Sequence, residues 1–212
     1  MNYLQIINKC LSELNFRQAD SFDELIKPEH HRVMNYINLI SHEICNSDNW
    51  NFLLRRKVVS LPKGEREITN SINGRILAIY IDDKEYCYME DFQGFMTKNT
   101  PEKFFSVFND KLLFPEFAED KLINIIYYTR DMAISVDDIE KSRLEFADDR
   151  SLIPEQFIEP ILVYGTCLRL KGDPQHVKYN YWLGMYTSAL AMMRSKIAVD
   201  AGYAPTVRIV RH

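Results

Sequence analysis

The sequence has few glycines, no closely spaced cysteines and no long apolar run. Its 212 residues include seven glycines, about half the ordinary share of roughly 7%. Because glycine lets a backbone turn tightly around a phosphate, few phosphate-binding loops are expected. The four cysteines form no C-x-x-C pair; they are Cys10, Cys45, Cys87 and Cys167. This spacing predicts free, buried thiols in a reducing compartment rather than a disulfide framework.

No apolar stretch approaches the roughly 20 residues that a membrane-spanning helix needs. The first residues also lack the basic and then apolar order of a signal peptide. The 26 basic and 30 acidic residues leave a net charge of −4, so no global basic field would recruit nucleic acid. These absences favour a cytoplasmic protein without a membrane partner.

The residues that are present are typical of a folded domain. Hydrophobic residues make up 46% of the chain, including 12 Tyr and 12 Phe, which is too much apolar surface for a disordered protein. In the N-terminal part, apolar residues recur at helical spacing and predict two helices. The first covers residues 2–14, and the second begins near Pro28 and runs to about Cys45.

The C-terminal part also predicts two helices. One opens at residues 153–155 and is kinked at Pro160. The other starts at Asp173 or Pro174 and ends near Val199. The apolar stripe of this last helix is predicted at Val177, Tyr181, Met185, Leu190 and Met193.

The middle of the chain is rich in β-branched residues separated by turn residues. Short strands are predicted at residues 57–61, 67–69, 75–81, 86–88, 104–108, 111–114 and 122–129. No segment of crossover length separates most of them, which favours an antiparallel meander. Residues 131–152 are charged and predict a protruding acidic loop with a short helix near residues 138–146.

Together these elements predict an α+β fold. Helix pairs in residues 1–49 and 153–199 close a four-helix bundle, because neither pair can bury its apolar stripe alone. An antiparallel β-meander (55–130) and the acidic loop (131–152) are inserted between the pairs, which makes residues 1–200 a single domain. Residues 201–212 form an extended C-terminal arm.

Motifs for catalysis are missing: the chain contains no GxxxxGK[ST], GxGxxG, GxSxG or HExxH sequence. His42 and Cys45 share a predicted helix face, but no second pair has similar spacing, so helix packing is favoured over zinc binding. Acidic pairs at residues 82–83, 137–138 and 148–149 fall in turns and in the charged loop, where water would screen them. No catalytic residue, metal or cofactor is therefore predicted.

The densest basic cluster is Arg55, Arg56 and Lys57, and the aromatic residues Trp50 and Phe52 precede it. Basic residues next to aromatic ones can bind single-stranded nucleic acid. The net negative charge and the lack of a second basic strip favour the other interpretation, an interface between subunits of an oligomer.

Four parts of the chain carry a family resemblance. They are residues 4–14 with the Trp50-Asn51-Phe52 stretch and the strand after it (55–61), residues 73–80, residues 111–115 with 125–130, and residues 153–157 with 161–165. In this order they resemble the head-to-tail adaptor proteins of short-tailed bacteriophages, which include the tail tubular protein A and tail accessory factor types. The four parts span nearly the whole chain.

The resemblance implies a structural virion protein that is not an enzyme. Its copies would form a ring, a dodecamer, that docks beneath the portal protein, extends the DNA channel and offers a platform to tail or nozzle proteins. Genomic DNA would pass through the lumen without specific binding. The protein would be assembled in the host cytoplasm and would lie in the virion neck.

The resemblance also implies roles for two groups of residues. The C-terminal arm would dock on the portal through Arg208, Ile209, Val210, Arg211 and His212. A subunit or tail interface would be formed by Trp50, Phe52, Arg55, Arg56 and Lys57.

Two other functions remain open. One is a cell-wall hydrolase of the muramidase type, which would use two carboxylates and would clear cell-wall suspensions. The other is a small nucleic-acid-binding packaging factor, whose binding would fall steeply with salt.

Overall fold

The computed structural model describes residues 1–97 and 103–200, so the predicted arm at 201–212 lies outside the described residues. Two compact units divide the chain. Unit 1 comprises Met1–Leu53 and the described part of Asp131–His212, and unit 2 is Leu54–Arg130.

The described residues form five helices, two short 3₁₀ turns and ten strands. The helices are α1 (Tyr3–Glu13), α2 (Pro28–Ser47), α3 (Phe92–Thr97), α4 (155–170) and α5 (Tyr179–Asp200), with 3₁₀ turns at Phe22–Glu24 and Asn51–Leu53. The strands are β1 (Leu54–Leu61), β2 (Glu67–Thr69), β3 (Gly74–Ile81), β4 (Lys84–Tyr88), β5 (Phe104–Phe108), β6 (Lys111–Leu113), β7 (Lys121–Thr129), β8 (Ala133–Ile134), β9 (Glu140–Lys141) and β10 (Arg150–Ser151).

The first two predicted helices are confirmed. Asn2 caps α1: its side chain accepts the N–H of Gln5, and the Gln5 side chain accepts the N–H of Asn2 in return. Helix α2 begins at Pro28, where a first turn tolerates the missing N–H. Both helices bury their apolar positions in unit 1, at Ile6, Ile7, Cys10 and Leu11 of α1 and at Val33, Ile37, Ile40 and Ile44 of α2.

The kink predicted at Pro160 takes the form of a π-helical turn inside α4. The helix is α-helical over Glu155–Ile158, π-helical over Glu159–Val163 and α-helical again over Tyr164–Leu170. Proline removes a donor from the regular ladder, and a π turn is one way in which a helix accommodates this.

Helix α5 differs from its prediction in both start and orientation. It begins at Tyr179, because Asp173 instead caps a turn by accepting the N–H groups of Gln175 and His176. Over residues 179–196, its buried side chains are Trp182, Ala189 and Met193. Of the five predicted stripe residues only Met193 is buried, and Val177, Tyr181 and Met185 are exposed.

Unit 2 is built around a mixed seven-stranded sheet in the order β1-β7-β3-β4-β5-β6-β2. β4 and β5 pair in parallel, whereas the other neighbours pair in antiparallel fashion where their register is defined. The end strands β1 and β2 follow each other in the chain, and the sheet is nearly closed. Its inner face forms the core of the unit, which includes Leu61, Ile79, Ile81, Tyr86, Phe105, Leu112, Phe114, Ile123 and Ile125.

The predicted fold class, a four-helix bundle with an inserted antiparallel meander, is therefore wrong. The α+β content is correct, but β7 pairs with both β1 and β3, and β4 pairs in parallel with β5. A meander would pair each strand only with its sequence neighbours. The physical reason is that β7 buries Ile123 and Ile125 most completely between two flanking strands, so this late strand occupies a central position.

The segment 131–152 contains no helix, and the structure describes all of it. It forms a small sheet in the order β10-β8-β9, together with buried side chains such as Leu144 and Asp149. The expected short helix near residues 138–146 is wrong, because residues 140–141 form β9 and the Asp149 carboxylate binds the N–H groups of Glu145 and Phe146 in a turn.

Candidate interaction surfaces

The predicted interface residues Trp50 and Phe52 lie in unit 1, just after α2. Trp50 is completely buried, and its indole N–H donates to the carbonyl oxygen of Ile44. Phe52 stacks on it with a ring-centre distance of 5.9 Å and is half-buried. Trp50 therefore closes the C-terminal end of α2 and presents no side-chain surface to a partner.

The basic cluster lies on β1 of unit 2, where alternation sends its members to opposite faces. Arg56 is exposed and donates from its guanidinium to Oδ1 of Asn124. Arg55 and Lys57 are half-buried on the other side. The Lys57 ammonium donates to the hydroxyl of Ser71 at 2.8 Å, and Arg55 donates to the carbonyl of Leu54 at 2.9 Å.

The outer face of the sheet in unit 2 is the surface to which Arg56 belongs. The registers of β1 and β3 against β7 place these residues on one side: Leu54, Arg56, Val58, Ser60, Arg75, Ala78, Tyr80, Leu122, Asn124, Ile126 and Tyr128. None of these residues is acidic, but the exposed Glu85 of β4 pairs with Tyr80 on the same side. Val58 is 51% and Leu122 is 62% exposed, so this outer face combines exposed apolar side chains with positive charge.

The helical groove, our name for a second surface, lies in unit 1 between α4 and α5. Its volume is about 790 Å³, and its lining is mainly apolar. The residues that line it are Gln156, Phe157, Pro160, Met185, Ser188, Ala189, Ala191, Met192, Ser195 and Lys196. Met185 and Met192 are exposed in it, because the buried side of α5 is the Trp182 side.

A polar cavity of about 810 Å³ adjoins the helical groove and shares Gln156, Pro160 and Met185 with it. Lys9 of α1 forms an ion pair with Glu159 there. The Tyr164 hydroxyl lies 3.3 Å from that of Tyr181, and burial together with this neighbour raises the pKa of Tyr164. These groups satisfy one another's hydrogen bonds. The polar cavity therefore lies beside the apolar groove as its polar extension.

The acidic pairs have structural partners or lie in turns. Asp82 and Asp83 adopt left-handed backbone conformations at the β3–β4 turn, and Asp82 forms an ion pair with Lys121. Asp149 was predicted to be a solvated side chain, but only 2% of this residue is exposed.

Asp149 holds the segment 141–149 together. Its carboxylate accepts the N–H groups of Glu145 at 2.7 Å and of Phe146 at 2.9 Å, and it forms an ion pair with Lys141 at 3.0 Å. Burial opposes its ionisation, but these donors outweigh burial and hold the pKa of Asp149 below its ordinary value.

Thiols and histidines form no reactive cluster in the described part of the chain. Burial raises the pKa of both Cys45 and Cys167 to about 12, which keeps these thiols protonated. Cys87 is exposed, contrary to the prediction of four buried thiols. Residues 1–97 and 103–200 contain no group of three or more His, Cys, Asp or Glu side chains that could hold a metal ion.

The portal-docking residues inferred from the resemblance, 208–212, lie outside the described residues. The outer face was not predicted from the sequence, although the strict alternation of β1 and β7 could have indicated it. The helical groove was not predicted either, because Met185, which lines it, was assigned to the buried stripe of the helix.

No helix among residues 1–97 and 103–200 combines the length and the apolar character needed to cross a bilayer. In comparisons with known proteins, no protein-family model matches the chain, and no curated protein matches it in sequence.

Proposed function

We propose that this chain is a structural subunit of a phage head-to-tail connector, a ring that docks beneath the portal and carries the tail. The proposal starts from the ordered resemblance of the four sequence segments. It includes portal docking through residues 208–212, a lumen through which DNA passes, and a location in the virion neck.

The observation that carries the proposal is the helical groove of unit 1. Helix α5 exposes Tyr181, Leu183, Met185 and Met192, although Trp182 of the same helix is completely buried. Each Å² of apolar surface removed from water contributes about 25 cal/mol, so a protein that acts alone rarely leaves such a face open. Methionine-rich apolar surfaces are common where a protein partner packs.

The described carboxylates support a structural rather than a catalytic role. A muramidase needs two carboxyl groups whose environments separate their pKa values within one cleft. The best-buried carboxylate, Asp149, is instead committed to two backbone N–H groups and Lys141. Glu159, in the polar cavity, is paired with Lys9.

The test measures whether the wild-type chain and its variants co-sediment with portal rings encoded in the same genome. The groove variant M185D/M192D should lose portal or self-association, since it buries two new charges at the interface. V177D is the matched control, because Val177 is 97% exposed and does not line the groove.

The expected result is wild-type co-sedimentation by V177D and its loss by M185D/M192D, with both variants folded by circular dichroism. Clearing of a cell-wall suspension by the wild type, or no association of the wild type with portal, tail protein or itself, would contradict the proposal.

A further inference from the structure

Two described surfaces of this chain have complementary character. One is the outer face of the sheet in unit 2, which is apolar and basic. The other is the acidic ridge, defined here as residues 16–29 of unit 1, which connects α1 to α2. Both are exposed, and they share no residue.

The outer face is preorganised for contact. The Arg75 guanidinium lies 5.5 Å from the centre of the Tyr128 ring, and the Arg56 Nε donates to Asn124 at 3.1 Å. These neighbours orient both cations over the strands, next to the exposed side chains of Val58 and Leu122. Arginine and tyrosine are enriched among protein-binding hot spots, and the exposed aliphatic side chains beside them add apolar area that a partner can bury.

The acidic ridge is held rigidly at two buried anchors. Ala19 exchanges two hydrogen bonds with the Asn8 amide, at 2.8 and 2.9 Å. Leu25 is buried in a tight turn (φ −79°, ψ 51°) that the Ile26 N–H closes by donating to Glu24 at 2.9 Å. This turn directs the next side chain outwards, and Ile26 is 76% exposed.

Charge on the ridge is opposite to that on the outer face. The ridge, residues 16–29, contains four carboxylates, Asp20, Asp23, Glu24 and Glu29, and two cations, Arg17 and Lys27, so its net charge is −2. The outer face carries two arginines and the carboxylate of Glu85, so its net charge is +1. One surface thus has an exposed isoleucine among acidic side chains, and the other combines apolar side chains with a net positive charge.

We propose that the acidic ridge of one copy docks on the outer face of a second copy, with Ile26 between Val58 and Leu122 and the carboxylates towards Arg56 and Arg75. The occupant of the outer face is a second copy of this chain. Because the two surfaces differ, the contact is heterologous, and its repetition closes a ring when the rotation permits. The inference rests on the proposed function and supplies its subunit contact.

Single-stranded nucleic acid is the other occupant that arginines beside tyrosines could attract. The structure favours protein, because Arg75 already covers the Tyr128 ring on which a base would stack. The chain's net charge of −4 also opposes a polyanion.

Charge reversal tests the contact in both directions. R56E/R75E makes the outer face negative, and D20K/D23K raises the net charge of the acidic ridge from −2 to +2 while it keeps the residue-20 N–H bond to Glu24. Each variant alone should weaken self-association at least about 100-fold, because like charges then meet in the interface. K63E/K84E is the matched control, since it reverses two exposed lysines of unit 2 outside the outer face and should assemble as the wild type does.

The decisive arm is a mixture. R56E/R75E with D20K/D23K in equal amounts should assemble in alternation, and so should the chain that carries all four changes, because each contact again joins opposite charges. Sedimentation velocity at physiological salt measures both, and circular dichroism checks folding.

Assembly of each variant alone at wild-type strength, or failure of both the mixture and the fourfold variant to assemble, would overturn the proposed contact. Rings or portal association that persist in those variants would leave the connector function standing, since another surface would then join the copies. A further arm adds oligothymidine to wild-type assemblies. If oligothymidine binds and dissociates them, the outer face is assigned to nucleic acid and the contact is overturned.

Discussion

In unit 1 a group of exposed apolar side chains lies on helix α5, whereas in unit 2 a second group lies on the outer face of strands whose inner face is buried. Helix α5 buries Trp182 and leaves Met185 and Met192 open. Strand β7 buries Ile123 and leaves its neighbour Leu122 open. In both units one element therefore stabilises the fold with one face and offers the other face to a partner.

Stability and association can therefore be separated by single substitutions. Residues 122 and 123 lie on opposite faces of β7, and on α5 the exposed Tyr181 lies about 100° around the helix axis from the buried Trp182. Changes on the buried face should unfold a unit, and changes on the exposed face should leave the fold intact.

The largest effect is expected from Trp182→Ala in unit 1. The indole is fully buried, stacks on His176 at 5.0 Å and donates to Glu13 at 3.0 Å. Its loss should lower the free energy of unfolding by about 3–5 kcal/mol, measured by urea denaturation. Leu183→Ala on the exposed side should cost less than about 1 kcal/mol. Equal losses for the two variants would remove the distinction between the faces of α5.

The next effect is expected on β7 of unit 2. Ile123→Ala deletes a fully buried side chain of the core and should cost about 2–4 kcal/mol in urea denaturation. Leu122→Ala, one residue earlier and 62% exposed, should cost less than about 1 kcal/mol but should weaken self-association. A stability loss at Leu122 as large as that at Ile123 would mean that the outer face belongs to the core.

A third effect is expected in the pH dependence of the stability of unit 1. Asp149→Asn removes the charge that Lys141 and two N–H groups stabilise, and should cost about 1–3 kcal/mol at pH 7. Because the folded pKa of Asp149 is lowered, its contribution is complete above the unfolded value of about 3.9 and is lost as pH falls through the folded value. The stability gap between wild type and variant should therefore narrow below about pH 4.

Denaturation curves of the Asp149→Asn pair at pH 7 and at pH 3 measure this gap. Asp148→Asn is the control, because Asp148 is exposed and its carboxylate accepts a hydrogen bond from the Asn2 side chain. A gap that stays constant or widens as pH falls would contradict the assignment of Asp149 as a structural anion.

The smallest stability effect is expected for the groove variant M185D/M192D. Both side chains are exposed in the isolated chain, so the free energy of unfolding should change by less than about 1 kcal/mol. A differential scanning experiment on the monomeric fraction measures it. A large loss would show that the groove is part of the core and would weaken its role in docking.

Much of the local structure was predictable from the sequence, because it follows from neighbours along the chain. The spacing of Val33, Ile37, Ile40 and Ile44 specifies one face of α2, and all four are buried. The pairing of β7 between β1 and β3 was not predictable, since it depends on contacts between residues more than 40 positions apart.

The orientation of α5 and the position of Trp50 were missed for related reasons. The apolar residues of α5 are spread around its axis, so periodicity alone does not predict that Trp182 is buried and Met185 exposed. Trp50 precedes a basic cluster, which suggested a surface, but its indole N–H closes the end of α2 instead. Composition shows how many apolar and aromatic residues a chain has, and only packing decides which of them remain exposed.

The most direct test of the connector account is the number of copies that the wild-type chain forms, measured by native mass spectrometry alone and with portal rings. The account predicts one closed oligomer of fixed copy number, populated at least in the presence of the portal. A chain that stays monomeric in both conditions, or that forms only a two-fold dimer through identical surfaces, would contradict it.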